Sequence, residues 1–389
     1  MSKRSFKYRL MCNQATSQKV DEWIDLCRHL YNASLEQRID AYKRQRKSIS
    51  YFDQCKDIPE LKETFVEYKP IDVQLLRDVL ERLKRSYNGF FRRLKIGEKA
   101  GFPRFKGKDR YKSFTLHQNS WKMDGKHLMI RNLGKFKIRL SRPIDGDIKL
   151  VTIKKSMDKL YVIFSCDNVP EKKLKFTSKK IGLDMGIISF CADSKGKKTD
   201  NPLYLKQSGK VLRRRQRSLS RKKKGSQNRK DSRLLVAKIY EKITNQRDFF
   251  LHDIANKYIR NYGNIFIEDL KIDKMVQDSY MAKNISDSSW GKFFYYLSYK
   301  AEEAGRKVTK VNPQYTSQRC SKCGAINQDL KLYQRTWACP VCGAVHDRDV
   351  NGAKNVLWVG QTHRAITCAR TQSVVRELKE EFKCQLTAE

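Results

Sequence analysis

The sequence predicts a multidomain α+β protein, and three observations carry that expectation. The apolar period changes along the chain, from helical spacing to alternation and then to a mixture of both. Two short apolar runs each end in a carboxylate. Four cysteines fall in two tight pairs after residue 319. With 389 residues and a soft prior of about 150 residues per domain, two or three domains are expected. Lys plus Arg number 83 and Asp plus Glu 42, a net charge of +41. That balance excludes an ordinary metabolic enzyme as the default and points to a polyanionic partner. A hydrophobic fraction of 39% argues against general disorder. No apolar run is long enough to span a bilayer, so no membrane partner is expected. The first residues lack the apolar core of a signal peptide, and seven further cysteines are scattered, so a reducing, cytoplasmic setting is expected.

The elements follow in order. Residues 17–47 carry Val20, Trp23, Ile24, Cys27, Leu30, Tyr31 and Leu35 at spacings of three and four, which predicts a helix. A second helix is predicted from Asp72 to Lys95 on Leu76, Val79, Leu80, Leu83 and Tyr87, with a loop between the two. From Tyr111 to Cys166 the period falls to two. Asp124-Gly125 is a hairpin signal, and Ser156-Met157-Asp158 is expected to turn between two strands. This stretch reads as a small antiparallel barrel or sheet, to which Phe6–Met11 could add a strand. A third unit opens with the strand Ile181-Gly182-Leu183-Asp184. It continues through a mostly helical 206–260, the strand Ile265–Leu270, a helix on Trp290, Phe293 and Leu297, a strand at Lys307–Val311 and a short helix from Val350.

Cys320-Ser321-Lys322-Cys323, fifteen residues, then Cys339-Pro340-Val341-Cys342, is the spacing of a tetrahedral zinc site between two knuckles. Four thiolates leave no position for water, so this Zn2+ would be structural. Asp184 and Glu268 end apolar strands, where a sheet presents ligands at its carboxyl edge, and Asp349 opens a helix. Three converging carboxylates need counter-cations. Two Mg2+ ions roughly 4 Å apart would suit attack of water on a phosphodiester, and the set resembles an RNase H-like nuclease core. Asp347 and Asp269 are neighbours with other expected roles: a helix cap for Asp347, and an opposite strand face for Asp269. Between Lys210 and Lys230 there are eleven basic residues and no acid. Arg213, Arg214, Arg215, Arg217, Arg221, Lys222, Lys223 and Lys224 read as a helix and loop along nucleic-acid phosphates, against a solvated cationic loop. Phe102, Arg104, Phe105, Lys106 and Tyr111 either meet nucleic acid or anchor the barrel.

Taken together, these segments resemble the TnpB family, RNA-guided nucleases of insertion sequences related to type V CRISPR effectors. Gly101-Phe102-Pro103-Arg104-Phe105-Lys106, Ile181–Gly186, Arg214–Ser226, Ile267-Glu268-Asp269-Leu270, Asn312–Gln318 and Asp347–Ala353 carry the resemblance. It implies a wedge-type β-barrel (1–12 and 97–175) with an inserted helical recognition unit (13–96). It also implies a RuvC nuclease domain (176–315 and 346–360) with an inserted zinc ribbon (316–345). Residues 361–389 match no motif and are expected to form a mobile tail. The implied function is that of a magnesium-dependent DNA endonuclease carrying a guide RNA (omega RNA), one protein per RNA. It would act on double-stranded DNA beside a short adjacent motif, with Gln74, Arg77 and Asp78 as motif-reading candidates. The catalytic acids would be Asp184, Glu268 and Asp349. A repressor that has lost cleavage and an RNase H-like transposase are the alternatives; the presence of all three acids favours the nuclease.

Overall fold

A computed structural model describes residues 2–108, 110–277, 282–331 and 333–362. The chain divides into two compact units, one up to Glu171 and one from Lys172 on. Among the described residues no helix is long and apolar enough to cross a membrane.

The first unit runs β1 (Ser2–Met11), α1 (Gln14–Gln45), α2 (Tyr51–Lys56), α3 (Ile58–Thr64), α4 (Val73–Lys95), β2 (Ser113–Leu116), β3 (Trp121–Asp124), β4 (His127–Ile130), β5 (Gly134–Arg139), β6 (Asp147–Ser156) and β7 (Lys159–Val169). α1 starts where the Asn13 side chain accepts the Thr16 N–H at 2.8 Å, seven residues before Val20 opens the apolar period. α4 is capped in the same way by Asp72, on the Gln74 N–H. The segment expected to be a loop between them holds two short helices instead. Ser50 and Asp53 form a capping box for α2, and Pro59 lies in the first turn of α3.

The seven strands form one antiparallel sheet in the order β2-β6-β7-β1-β5-β4-β3. The expected turns are present: Asp124 pairs with His127, and Ser156 with Lys159. β1 is a central strand, paired with β5 on one side and β7 on the other. β2 and β3 are the two edges, yet the chain passes from Leu116 to Trp121 directly. Five residue steps reach about 18 Å, whereas six strand spacings in a flat sheet span about 29 Å. The sheet must therefore curl nearly closed, which explains why the segment reads equally as sheet or barrel.

The second unit runs β8 (Lys180–Met185), β9 (Ser189–Asp193), β10 (Lys198–Asp200), α5 (Tyr204–Ser220), α6 (Gln227–Asn261), β11 (Asn264–Glu268), α7 (Ile272–Gln277), α8 (Ala282–Ser288), α9 (Trp290–Ala304), β12 (Lys307–Val311), β13 (Thr336–Ala338), β14 (Val345–Asp347) and α10 (Arg348–Thr362). Its main sheet has the order β10-β9-β8-β11-β12. β8, β11 and β12 are parallel, while β9 and β10 return antiparallel. Ile181, Leu183, Ile265 and Ile267 pack into a core with Leu251, Tyr258, Phe293 and Leu297 of α6 and α9. The alternate positions carry the other face, where Phe266 packs with Val356 of α10. Gly182 lets α10 lie directly on β8: a Cβ there would sit 2.3 Å from the Ala353 carbonyl oxygen. The strand expected to reach Leu270 ends at Glu268, so Asp269 and Leu270 fall outside β11. β9 and β10 were not anticipated. Gln361 and Thr362 complete α10, and the rest of the expected tail lies outside the described residues.

Candidate functional site

The parallel pairing of Leu183 with Ile267 sets Asp184 and Glu268 side by side at the ends of β8 and β11. Both belong to the face covered by α10. Gly352 of that helix makes room for the acid: a Cβ there would meet the Asp184 Oδ2 at 2.5 Å. Asp184 is hydrogen-bonded to Glu268, and its carboxyl is raised well above the usual range, by burial first and then by the charges of Glu268 and Asp349. Burial also raises Glu268, against the opposing pull of the Thr316 hydroxyl, which donates to Oε1 at 2.6 Å, and of Asp184.

Asp349 lies in the first turn of α10. Arg335 approaches its Oδ1 at 3.5 Å and Lys198 its Oδ2 at 3.5 Å. Asp347 caps the helix by accepting the N–H groups of Asp349 and Val350, both at 3.1 Å. It also receives the Lys198 ammonium at 2.6 Å. Although partly buried, Asp347 is held below its ordinary value by Lys198 and these N–H groups. Asp269, the other neighbour, pairs with Lys310 at 3.0 Å. The fold thus brings Asp184 and Glu268 into contact, with Asp349 close enough to bear on Asp184. Burial and the charges of Glu268 and Asp349 oppose a second negative charge on Asp184, and a hard divalent cation on these oxygen donors would relieve that cost in place of a proton.

The cysteine site is more local. The Sγ atoms of Cys320, Cys323, Cys339 and Cys342 all lie within 4.8 Å of one another. Each knuckle turns on the same bonds: Gly324 N–H to the Cys320 carbonyl and Gly343 N–H to the Cys339 carbonyl, both 2.9 Å. Both glycines have positive φ, 82° and 67°, which a side chain would oppose. The backbone N–H of Cys342 draws the Cys339 thiol down to about 6, toward the thiolate a metal needs. Four sulfurs at this separation fit tetrahedral zinc. The His346 Nε2 stands 3.0 Å from the Cys320 Sγ. Asn351 and Asn355 of α10 donate to the Arg319 carbonyl at 2.8 and 2.6 Å, which fastens the first knuckle to the helix that carries Asp349.

Basic side chains line an open groove of about 710 Å³ along α5: Lys210, Arg213, Arg214, Arg217, Arg221 and Lys222. Their spacing is one helical stripe continued into the following turn. Leu212 is buried on the opposite side. Arg215, Lys223 and Lys224 are exposed outside that lining. In the first unit Arg104 is exposed. Lys106 is fixed by Asn32, which bonds both its N–H (2.7 Å) and its carbonyl (3.0 Å). Phe102 packs edge-on against Tyr87 and Phe90 of α4, Tyr111 is buried, and Phe105 is half exposed. On α4, Gln74 and Arg77 are exposed. Asp78 is held by Arg82 at 2.8 Å, and Arg82 in turn reaches the Ser113 carbonyl and the Thr115 hydroxyl. Sequence reasoning did not find Thr316, Lys198, Arg335 or His346. Thr316 alone had a signal, its place in the run that leads into the first knuckle.

Family models match three stretches of the chain. A family model described as "Helix-turn-helix domain" matches residues 1–47, "Probable transposase" matches 163–278, and "Cas12f1-like, TNB domain" matches 290–356. Within the first of these, the structure has one strand and one continuous helix rather than two helices about a turn. A Streptomyces pristinaespiralis protein named "Putative RNA-guided DNA endonuclease" is 30% identical over 92% of this chain and 89% of its own. "Putative RNA-guided DNA endonuclease InsQ" of Escherichia coli K12 is 28% identical over 97% of both. In fold, the chain is similar to the protein of a Cas12f1-sgRNA-target DNA complex, with a TM-score of 0.57, 16% identity and coverage of 88% of this chain and 82% of that one. The chain belongs to the TnpB family.

Proposed function

We propose that this protein is an RNA-guided DNA endonuclease that hydrolyses phosphodiester bonds at Asp184, Glu268 and Asp349 with two Mg2+ ions. The observation that supports this reading is the burial of Asp184 against Glu268 under a helix whose first turn carries Asp349, near enough for its charge to raise Asp184. Bound there, the cations would activate water and stabilise the leaving oxygen. The chain's own residues do the positioning. Thr316 fixes one oxygen of Glu268, Asp347 fixes the first turn of α10 and so Asp349, and Gly352 gives Asp184 its space. Zn2+ on the four cysteines would be purely structural, since no coordination position stays open.

Two names of relatives that describe RNA-guided DNA cleavage, at near full-length coverage, support guidance by RNA. The α5 stripe, with Arg104 and Lys106, would follow the phosphates of a guide RNA (omega RNA) and its DNA heteroduplex, in which base pairing selects the target. Gln74 and Arg77 are free to meet a short adjacent DNA motif, and Asp78 would act through Arg82. In this reading residues 1–12 and 97–175 are the wedge-type barrel and 13–96 the recognition unit. Residues 176–315 and 346–360 form the RuvC nuclease domain, and 316–345 the zinc ribbon. One protein would serve each RNA, in the cytoplasm.

The test is cleavage of a matched DNA by protein purified with its RNA. Asp184→Ala should cut at background rate and retain RNA at the wild-type ratio. Full cleavage by that variant would overturn the site. Purification from the native host without a discrete RNA would overturn guidance and favour a strand-joining transposase.

A further inference from the structure

The acids do not stand alone on their sheet. Lys198 pairs across β10 and β9 with Ala192, and Ala192 pairs across β9 and β8 with Asp184. Glu268 follows on β11. Directly paired residues share a face, so a cation closes the row that the two acids open, and Ala192 between them offers only a methyl group. The Lys198 ammonium reaches α10, 2.6 Å from the Asp347 Oδ2 and 3.5 Å from the Asp349 Oδ2. Arg335 takes the other oxygen of Asp349. Both oxygens of Asp349 therefore face protein cations, whose charge opposes a metal arriving there.

We propose that Lys198 is a positioning residue that competes with the divalent cation for Asp349. Without the cation it bridges Asp347 and Asp349. With the cation bound it withdraws to Asp347, which holds it at the edge of the site. The idea rests on the reading of Asp184, Glu268 and Asp349 as cation ligands.

The test is Mn2+ titration of the zinc-loaded protein by electron paramagnetic resonance, with no cleavage involved. Lys198→Met should bind Mn2+ roughly two- to fivefold more tightly, within the strength of a partly exposed ion pair. Lys198→Gln serves as a second variant if the first does not fold. Asp347→Asn keeps a helix cap but removes the refuge of the lysine, so binding should weaken by a similar factor. In the double variant, Asp347→Asn should have no further effect, because the competitor is gone. Independent, additive effects would overturn the proposal in favour of general electrostatics. Weaker binding in both single variants would reduce Lys198 to a support of the fold, and unchanged binding would also overturn it. Equal Mn2+ binding by wild type and Asp184→Ala would remove the carboxylate site itself.

Discussion

The two candidate metal centres lie in one unit and are built in opposite ways. The four cysteines are brought together by two local turns, each closed by its own backbone bonds and a glycine at positive φ. Their geometry depends on little beyond the residues beside them. The three carboxylates come from β8, β11 and α10, and their geometry depends on strand register and on a helix lying against a sheet. The cysteine sulfurs gather on one another, with the His346 imidazole 3.0 Å from the Cys320 Sγ. The acids are buried against one another, and the third is held by lysine and arginine. A centre that only has to hold its ion is specified locally. The proposed catalytic centre, whose ions would have to meet substrate, depends instead on tertiary packing, with cations that would have to yield.

The sharpest way to break this contrast is to remove the zinc. Cys339→Ser should lose the metal by elemental analysis. Cleavage should fall to background, because Asn351 and Asn355 tie the first knuckle to the helix of Asp349. RNA retention through α5 should persist. Cleavage without zinc would show the two centres to be independent. A smaller effect is expected from Gly352→Ala, whose methyl would press on Asp184. Overpacking costs about 1–3 kcal/mol in stability, read by thermal melting, and cleavage should slow by roughly five- to 150-fold if that energy falls on the reacting geometry. Thr316→Val leaves a buried Glu268 oxygen without its donor. About 1–3 kcal/mol of stability should be lost in denaturant unfolding, and the Mg2+ requirement should change. The smallest effect should come from Arg217→Ala in the α5 groove. RNA affinity measured against salt should show a slope shallower by about one, with cleavage at saturating RNA unchanged.

The same contrast governs what could be read from the sequence. The cysteine pairs and their glycines are legible because their chemistry is contained in a few consecutive residues. Asp184 and Glu268 stand out because each ends an apolar strand, in which residues two apart such as Ile181 and Leu183 share one core. Asp347 acts as the cap its position suggested. Lys198 and Arg335 were invisible among 83 basic residues: their meaning arises only when β10 and the segment before β13 arrive beside α10. α2 and α3 are too short for periodicity to register, and β10 has three residues. Phe102, read as meeting nucleic acid or anchoring the barrel, packs edge-on against rings of α4 and keeps about half its surface exposed.

The position of β1 at the centre of its sheet sets an order of events during synthesis. Its partner on one side is β7, where Leu10 meets Leu160, 150 residues later. At about 5–20 residues per second, the ribosome leaves β1 waiting about 8–30 s before that partner is made. The helices α1 to α4 emerge in the interval and can pack early, since their contacts are nearer in sequence. Until β5 and β7 arrive, β1 has at least one unpaired edge, and its Lys3, Arg4, Lys7 and Arg9 are the charges that discourage pairing with a neighbouring nascent chain.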